Sequence, residues 1–467
     1  MRGIIPREKR MKIIIAGAGI GGMYAAEKLG KLGFDVTVYE KAKSLSDMRF
    51  DWHDDVAPKI FRRLGLPIID EHFKKRSWTF VTPFEKHLQP MVQDESDPDL
   101  SMERRPLNQM LYDRAAAFAK FEFGKTVTAP VMKDGRVCGV VADGEEILGD
   151  LVIDCAGAYS QLRRNLPREL GVTEIADHER FVAYRAFVRR PKDSPDPQYT
   201  NKVYLKHLGG AGLSWAILDH DPTVVNVLIG RVNTLPDTDR EVAFADLMAN
   251  NPIVSPEVVR GGFNVVIPVR YPATKFVSDG YAALGDSAYM TIPMLGSGIA
   301  STLLAADFLC ENIADGMTKG KKAPELFNVE RLWKYQTACY REFGAAHCGV
   351  DVMKRWLLTA QDDFILWAFK QGIIDNDDLQ ISAAGGTLKL SVGQMLSKLK
   401  KAGLKRVPVL LKINTVLNRC KKAERIGKQI PKNYNDGVVK KWERRLKTLF
   451  EKGDIQNAKA NEKPFII

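Results

Sequence analysis

Three glycines and one glutamate near the start of the chain have the spacing of a nucleotide-binding turn. The apolar segment Lys12–Ala16 predicts a buried parallel strand, and Gly17, Gly19 and Gly22 follow it. The first glycine permits a tight turn, the second lets backbone N–H groups approach a pyrophosphate, and the third lets a helix pack on the strand. A second predicted strand ends at Glu40, whose carboxylate can accept both hydroxyl groups of a ribose. This stretch therefore predicts a dinucleotide site.

The segment Arg49–Asp55 leaves the nucleotide-binding strands and is rich in groups that can do chemistry. It contains Trp52 and His53 among three aspartates. We expect a loop that borders an active site, in which His53 supplies a proton. The alternative is a polar loop that caps the helix predicted near Val56–Leu64 and leaves His53 in solvent.

Two further segments lead from a predicted element toward the same site. Arg104 precedes a helix predicted within Ser101–Ala119. The predicted strand Leu151–Ile153 runs into a turn of small residues that contains Gly157. We expect the turn with Gly157 to bring backbone close to a cofactor.

A third strand-to-helix segment begins at Asp286. Pro293, Gly296 and Gly298 follow and open a long apolar helix, whose N-terminal amides can face a cofactor oxygen. The stretch Ser287–Ala306 has no charged residue, but its proline and glycines interrupt it. We therefore predict a core helix and not a membrane span.

The middle of the chain predicts a wall for a substrate. Four apolar segments between 181 and 230 read as strands of a mostly antiparallel sheet, and Arg240–Asn250 reads as a helix beside it. Trp215 lies in the third of these segments and is expected to pack on an apolar substrate.

Length and composition indicate an ordinary globular protein. The 467 residues are 45% hydrophobic and 27% charged, which predicts two or three domains. Six scattered cysteines have no metal-binding spacing, and the short, mixed-charge segment before the first predicted strand leads us to expect no signal peptide there. We expect a cytoplasmic protein with reduced thiols and no metal site.

The net charge of +12 is concentrated at one end of the chain. Residues 387–467 hold 21 lysines and arginines against six acidic residues, so the rest of the chain is nearly neutral. This distribution argues against a nucleic-acid groove. Apolar residues recur at helical spacing in this basic tail, which predicts either helices docked on the catalytic body or peripheral contact with an anionic membrane.

Several motifs, in this order, resemble those of FAD-dependent oxidoreductases of the para-hydroxybenzoate hydroxylase superfamily, and most of all the geranylgeranyl reductase family. The resemblance covers about residues 10–370. The motifs are the early glycine fingerprint, Met-Glu-Arg-Arg-Pro-Leu at 102–107, Asp-Cys-Ala-Gly-Ala-Tyr-Ser at 154–160, and Gly-Asp-Ser-Ala followed by Pro293 and Gly-Ser-Gly-Ile-Ala at 296–300.

The resemblance implies an α/β fold with a Rossmann-like FAD-binding domain, an inserted antiparallel substrate domain and a helical C-terminal region. FAD-binding parts are expected at 1–72, 101–172 and 271–320. The substrate domain is expected at 73–100 and 173–270, and the helical region with its basic tail at 321–467.

The resemblance also implies a role for each matching residue. The implied contacts with FAD are Gly17, Gly19 and Gly22 on the pyrophosphate, Glu40 on the ribose, Arg104 at the middle of the cofactor, Asp286 on the ribityl chain, Gly296 and Gly298 on the isoalloxazine, and Arg49, Gly157 and Pro293 beside them. The catalytic candidates come from the residues themselves and not from the resemblance: they are Trp52 and His53 of the segment Arg49–Asp55, Trp215 of the predicted wall, and Tyr289, near the cofactor helix, as an alternative proton donor.

Three departures from the family pattern bear on the reaction. The family's Arg-Cys-Gly loop is Arg49-Phe50-Asp51 here, so its cysteine is missing. Of the family's Tyr-x-Trp-x-Phe-Pro motif only Trp215 is kept, and the hydroxylases' Asp-Gly pair is Ala156-Gly157.

These features predict an FAD-dependent enzyme that reduces a carbon–carbon double bond of a small apolar substrate, either isoprenoid or lipid-like, or polycyclic. The alternative is an FAD monooxygenase acting on an aromatic or polyketide-like ring, with a flavin halogenase third. A binding protein with a vestigial nucleotide fold is the alternative from another class. Because no second glycine fingerprint follows a strand, we expect the reductant to be transiently bound NAD(P)H or a protein electron donor.

Overall fold

A parallel sheet and a larger antiparallel sheet organise the chain. The computed structural model describes residues 10–48, 51–85, 87–92 and 98–451. The strands are β1 (Lys12–Ala16), β2 (Asp35–Glu40), β3 (His53–Val56), β4 (His72–Lys74), β5 (Trp78–Val81), β6 (Leu88–Met91), β7 (Leu100–Glu103), β8 (Lys120–Phe123), β9 (Val127–Lys133), β10 (Arg136–Ala142), β11 (Glu145–Leu148), β12 (Leu151–Asp154), β13 (Arg180–Arg189), β14 (Asn201–Leu205), β15 (Gly212–Leu218), β16 (Val224–Val232), β17 (Val258–Pro268), β18 (Val277–Ser278) and β19 (Tyr281–Ala283). The helices are α1 (Ile20–Lys31), α2 (Pro58–Leu64), α3 (Arg104–Ala116), α4 (Gln161–Arg164), α5 (Asp237–Asn250), α6 (Ile299–Thr318), α7 (Val329–Cys339), α8 (Ala345–Thr359), α9 (Asp362–Lys370), α10 (Asn376–Ala383), α11 (Val392–Ala402), α12 (Val407–Lys428) and α13 (Asp436–Glu451).

The first sheet carries the glycine fingerprint. Its strand order is β18-β19-β12-β1-β2-β8, and every pair except β18 with β19 is parallel. Ile13, Ile14 and Ile15 of the central strand are each at most 2% exposed, as expected for a strand covered on both faces. Helices α1 and α6 pack together on this sheet.

The second sheet is the predicted wall. Its order is β17-β13-β16-β15-β14-β5-β6, and all pairs except β14 with β5 are antiparallel. One face is buried in a small apolar core that includes Val227, Ile229 and, from α5, Leu247. Side chains alternate between the two faces of a strand, so the remaining side chains of these strands lie on the other face, where they line a cavity. The predicted fold class is confirmed.

Part of the segment predicted as an active-site loop is a strand. Residues 53–56 form β3, which pairs with β7, and β7 also pairs with β4. The alternative in which this segment caps a helix is wrong, because α2 begins at Pro58 with Ala57 as its N-cap and no side-chain cap. Arg49 and Phe50 lie outside the described residues.

The C-terminal region is helical, as predicted. α7 and α8 are joined without a break by a π-helical turn, Tyr340–Gly344. α12 packs along α8, and α13 is held on α12 by the indole of Trp442, whose N–H donates to the carbonyl of Ile426 at 2.7 Å.

The apolar residues of the tail differ in how deeply they are buried. Cys420 and Ile426 of α12 and Trp442 of α13 are at most 4% exposed, as expected for docked helices. Leu396 of α11 and Leu411 of α12 are 60% and 61% exposed. Among the described residues, no helix combines the length and the apolar character that crossing a membrane needs.

Candidate functional site

The turn between β1 and α1 leaves no room for side chains. Gly17 has φ of +104°, and a Cβ there would lie 2.4 Å from the carbonyl oxygen of Cys155. A Cβ at Gly22 would lie 2.3 Å from the carbonyl oxygen of Gly17. Both glycines are therefore required by the packing of strand, turn and helix.

Gly19 has a different reason to be glycine. No atom lies within 4 Å of the position of its Cβ, and the residue lines a large cavity. It is the N-cap of α1 and has no side chain to bond the first amides of the helix. The turn therefore presents an open backbone surface, which suits the approach of a pyrophosphate.

Glu40 lies at the end of β2 and is 7% exposed. Its carboxylate accepts hydrogen bonds from the N–H groups of Ala18 and Ala42, both at 2.9 Å. These bonds tie the acid to the glycine turn. Its contact with a ribose stays a prediction.

Asp154, at the end of β12, organises the second turn. Its buried carboxylate accepts bonds from Ser160 Oγ at 2.6 Å, Tyr281 Oη at 2.9 Å and Ser287 Oγ at 2.9 Å. Ser287 Oγ also accepts the N–H of Gly157 at 3.0 Å. Gly157, with φ of +82°, lines the cavity, so this network holds the segment where backbone contact with a cofactor was predicted.

Asp286 and Arg104 line the cavity between these turns. The Asp286 carboxylate accepts a bond from Thr291 Oγ1 at 2.8 Å, and burial raises its pKa against the effects of that bond and of Arg104. Arg104 makes a two-point ion pair with Asp54. Burial alone would lower the pKa of Arg104, but Asp54 outweighs it and raises that pKa.

The loop before α6 closes this end of the cavity. Pro293, Gly296 and Gly298 line it, and Gly296 has φ of +74°. Gly298 is the N-cap of α6 and brings no side-chain hydrogen bond to the helix. Two open helix N-termini, a carboxylate and several glycines around one cavity match the donor set and shape that FAD requires.

The cavity itself has a volume of about 1010 Å³. It extends from Gly19 and Asp286 along the wall sheet to helices α8–α12. Its two ends differ in chemistry, with charged groups near β3 and apolar side chains under the C-terminal helices.

His53 lies in a charged cluster at the polar end. Its Nε2 is 2.8 Å from Glu103 Oε1 and 3.6 Å from Asp219 Oδ1. Arg260 donates to both carboxylate oxygens of Glu103 and lies 3.3 Å from Asp219 Oδ2. Burial would raise the pKa of Glu103, but the bonds from His53 and Arg260 lower it to about 2. His53 lines the cavity, with its side chain 8% exposed.

His220 stacks beside His53, with ring centroids 5.4 Å apart and an interplanar angle of 4°. Burial and the neighbouring His53 lower the pKa of His220 to about 3, so the ring is neutral near pH 7. The two histidines and Asp219 bring potential ligand atoms within 4.8 Å of one another. The guanidinium of Arg260 lies against this group and opposes a cation there.

A second cluster surrounds Arg185 of β13. Its guanidinium lies over the ring of Trp52 at 3.9 Å, and its Nε donates to Asn226 Oδ1 at 3.0 Å. The indole N–H of Trp215 donates to the same oxygen at 3.1 Å. Burial lowers the pKa of Arg185 to about 9, so it still carries its charge near pH 7. Trp52 and Trp215 both line the cavity, and each also contacts polar groups. Their contact with a substrate stays a prediction.

The prediction of Tyr289 as a catalytic residue is wrong. Its side chain is 0% exposed and is absent from the cavity wall, and its hydroxyl donates to the carbonyl of Thr173 at 3.2 Å. The residue lies after Asp286 in a turn with φ of +59°, which directs the ring into the core.

Sequence reasoning missed five charged residues of this site: Asp54, Glu103, Asp219, Arg185 and Arg260. Asp54 and Glu103 fall inside segments that drew attention for other residues. Arg185 carried its own signal, because an arginine within the otherwise apolar segment 181–188 is costly to bury without a partner.

The apolar end is formed by helices that follow the nucleotide-binding parts. Its lining includes Trp356, Leu357, Phe364, Ile365, Phe369, Leu379, Leu388, Leu399, Leu410, Ile413 and Leu417. Met395 and Leu411 also line it, and they are 43% and 61% exposed. The cavity therefore reaches the surface between α11 and α12.

Lys398 is a buried basic residue of the tail. It is 7% exposed. Its Nζ donates to Asp378 Oδ2 at 2.7 Å and Asp375 Oδ2 at 2.9 Å, which ties α11 to the start of α10.

Comparisons with known proteins agree with this architecture. Residues 15–67 match the model of the NAD(P)-binding Rossmann-like domain. A digeranylgeranylglycerophospholipid reductase of Sulfolobus acidocaldarius is 24% identical over 91% of this chain and 95% of its own length. An FAD-dependent urate hydroxylase of Klebsiella pneumoniae is 26% identical over 62% of this chain and 77% of its own length.

The fold has a solved counterpart. A geranylgeranyl bacteriochlorophyll reductase-like protein from Thermoplasma acidophilum superposes with a TM-score of 0.68 at 18% identity, covering 87% of this chain and 99% of that one. Together with the glycine turns, these similarities confirm the prediction of an FAD-dependent oxidoreductase that resembles the geranylgeranyl reductases.

Proposed function

We propose that this protein reduces a carbon–carbon double bond of a long apolar substrate. The observation that carries the proposal is the shape of the cavity, which joins the glycine turns at one end to an apolar space under α8–α12 at the other. A cavity of about 1010 Å³ is at the upper end of the range for ligand sites, as a cofactor and a chain-like substrate together require. The similarity to a digeranylgeranylglycerophospholipid reductase supports the same substrate class.

FAD, when bound, supplies the hydride. On this proposal Gly17, Gly19 and Gly22 hold the pyrophosphate, with Asp286 and Arg104 on the middle of the cofactor. The loop with Gly296 and Gly298 lies beside the ring system. The protein's own contribution is to orient the substrate and to exclude water from the reacting carbon.

His53 is the proposed proton donor to the second carbon of the double bond. It lines the cavity, and the bond to Glu103 fixes the orientation of its ring. Glu103 acts through His53 and is a positioning residue. Trp52 and Trp215 line the same end of the cavity and are proposed to pack on the substrate.

The reductant belongs to the proposal too. No second glycine fingerprint occurs in the sequence, so NAD(P)H would bind transiently or a protein donor would deliver electrons. Reduction of the purified flavoprotein by NADH, by NADPH or by a reduced ferredoxin separates these possibilities.

An FAD monooxygenase is the second candidate. The similarity to a urate hydroxylase favours it, as does the polar cluster around His53, which suits a ring with hydrogen-bonding groups. Oxygen uptake during substrate-stimulated NAD(P)H oxidation distinguishes the two: a monooxygenase consumes one O₂ per product, whereas the proposed reductase forms product without oxygen.

The role of His53 is tested with His53→Gln. We expect product formation to fall about 100-fold with unchanged FAD content, because proton transfer loses its donor. His72→Gln is the control, since His72 is exposed on β4 and is absent from the cavity wall. Equal rates for the two variants would assign the proton to water.

We also propose that the tail contacts an anionic lipid surface. Leu411 is exposed and lines the outer end of the cavity, and Leu396 is exposed on α11. Lys400, Lys401 and Lys405 lie between them in the chain and are exposed as well. Exposed apolar side chains with lysines between them complement an anionic bilayer. An apolar substrate could enter the cavity from such a bilayer, between α11 and α12.

A further inference from the structure

Arg185 has an unused donor in the wall of the cavity. The residue lies in the middle of β13, is 3% exposed and lines the cavity. Its Nη1 is buried and has no hydrogen-bond partner among the residues that the structure describes. The Nε of the same guanidinium donates to Asn226, so Nη1 is the buried nitrogen without an acceptor.

The acids nearby are committed to other cations. Asp54 pairs with Arg104, and Glu103 and Asp219 pair with Arg260. Within the described ranges, no carboxylate lies within ion-pair distance of Arg185. A buried guanidinium N–H without an acceptor has given up its hydrogen bond to water and has not replaced it within the protein. This indicates that a bound ligand supplies the acceptor.

The guanidinium is held in place before any ligand binds. The ring of Trp52 covers one face at 3.9 Å, and Asn226 fixes Nε. Asn226 is itself oriented by the indole N–H of Trp215. A fixed, planar donor of this kind favours an oxyanion, because little side-chain freedom is lost on binding.

We propose that Arg185 binds an anionic group, a carboxylate or a phosphate, at one end of the substrate. This inference rests on the proposed function, because the rest of the substrate is the apolar chain that extends toward α9–α12. Nη1–H donates to an oxygen of the anion, so the buried donor gains the acceptor that it lacks.

An anchor at this point would also determine regiochemistry. The anion is fixed on β13 in the wall sheet, and the apolar chain extends along the cavity toward its apolar end. The double bonds closest to the anionic end are therefore the ones presented for reduction.

The test uses two ligands that differ only in their end group. Farnesoic acid and farnesol are titrated into the oxidised FAD-loaded protein, and binding is followed by the flavin difference spectrum. We expect the acid to bind about tenfold or more tightly than the alcohol. A third titration, with farnesyl phosphate, identifies which anion fits better. Equal binding of acid, phosphate and alcohol to the wild type overturns this inference but does not contradict the proposal of an apolar substrate.

Variants locate the effect. Arg185→Met should abolish the preference for the anion while leaving the affinity for farnesol within about twofold, and Arg185→Lys should restore part of it. Arg76→Met is the matched control, because Arg76 lines the same cavity but donates to the carbonyl of Leu218 at 3.0 Å. It should keep the preference.

Two outcomes would overturn the inference in different ways. Loss of FAD from Arg185→Met, with the wild-type preference for the anion unconfirmed, would assign this arginine to the cofactor. If none of the three ligands binds to the fully flavin-loaded protein, both this inference and the proposal of an apolar substrate are contradicted.

Discussion

The two ends of the cavity are built in different ways. At the cofactor end the chain presents backbone: Gly17 and Gly22 have no space for a side chain, and Gly19 faces open volume. At the substrate end the lining consists of side chains from β3, β7, the wall sheet and α8–α12. A site made of backbone can be predicted from the local sequence, whereas a site made of side chains depends on which distant segments of the chain come together.

The largest expected effect tests the backbone end. Gly17→Ala places a Cβ 2.4 Å from a carbonyl oxygen at φ of +104°, and we expect a loss of about 3 kcal/mol or more of unfolding free energy together with loss of bound FAD. Denaturant unfolding and flavin content measure the two effects.

Gly33→Ala is the matched control for this substitution. Gly33 has φ of +93° but no atom within 4 Å of its Cβ position, so only the backbone strain of about 1–2 kcal/mol is expected. Equal destabilisation by the two changes would mean that the close approach to Cys155 does not matter.

The next effect concerns Asp286, the carboxylate predicted to contact the ribityl chain of the cofactor. Asp286→Ala should weaken FAD binding by on the order of 10–100-fold, because a charged acceptor in a desolvated site is lost. Asp315→Ala, at the exposed end of α6, should leave it unchanged. Full retention of FAD by Asp286→Ala would remove this residue from the cofactor site.

At the substrate end, stability should depend on pH through Glu103. Its pKa is lowered from 4.5 to about 2 in the folded protein, so its ion pairs stabilise the protein above pH 4.5 and this contribution is lost as the pH falls toward 2. We expect Glu103→Gln to cost roughly 1–2 kcal/mol at pH 7 and almost nothing at pH 2, after allowance for solvent screening.

Unfolding by urea at several pH values measures this difference. The exposed Glu146→Gln on β11 should change the stability little at any of them. A cost of Glu103→Gln that does not vary with pH would show that the cluster is held by packing and not by charge.

The smallest effect is expected at the outer end of the cavity. Leu396→Ser with Leu411→Ser should weaken binding to anionic vesicles by roughly 1–2 kcal/mol, because two exposed apolar side chains are lost. Val242→Ser on α5, also 61% exposed, should have no effect. Binding that is absent, or equal for neutral and anionic vesicles, would leave the tail with a structural role alone.

The difference between the two ends explains what sequence reasoning achieved. The strand-turn-helix at 12–31, Asp286 at the end of a strand and the strands of the wall follow from local patterns of glycine and apolar residues. β17 was missed, because its exposed, glycine-containing sequence lacks a clear alternation.

The substrate end resisted prediction for a physical reason. His53 meets Glu103, Asp219 and Arg260 only because β3, β7, the end of β15 and β17 come together, and these residues lie 50 to 207 positions from His53 in the sequence. The prediction for Tyr289 was wrong for the opposite reason. The residue is close to Asp286 in sequence, but it has a positive φ and its side chain lies in the core.

The most direct test of the proposed reduction is an anaerobic one. The purified protein is photoreduced without oxygen and mixed with farnesoic acid or, as control, with its fully saturated analogue. The account predicts that the unsaturated compound alone restores the spectrum of oxidised flavin and gains two hydrogen atoms at one double bond. Reoxidation that occurs only after oxygen is admitted, with an oxygen atom found in the product, would contradict it and establish a monooxygenase.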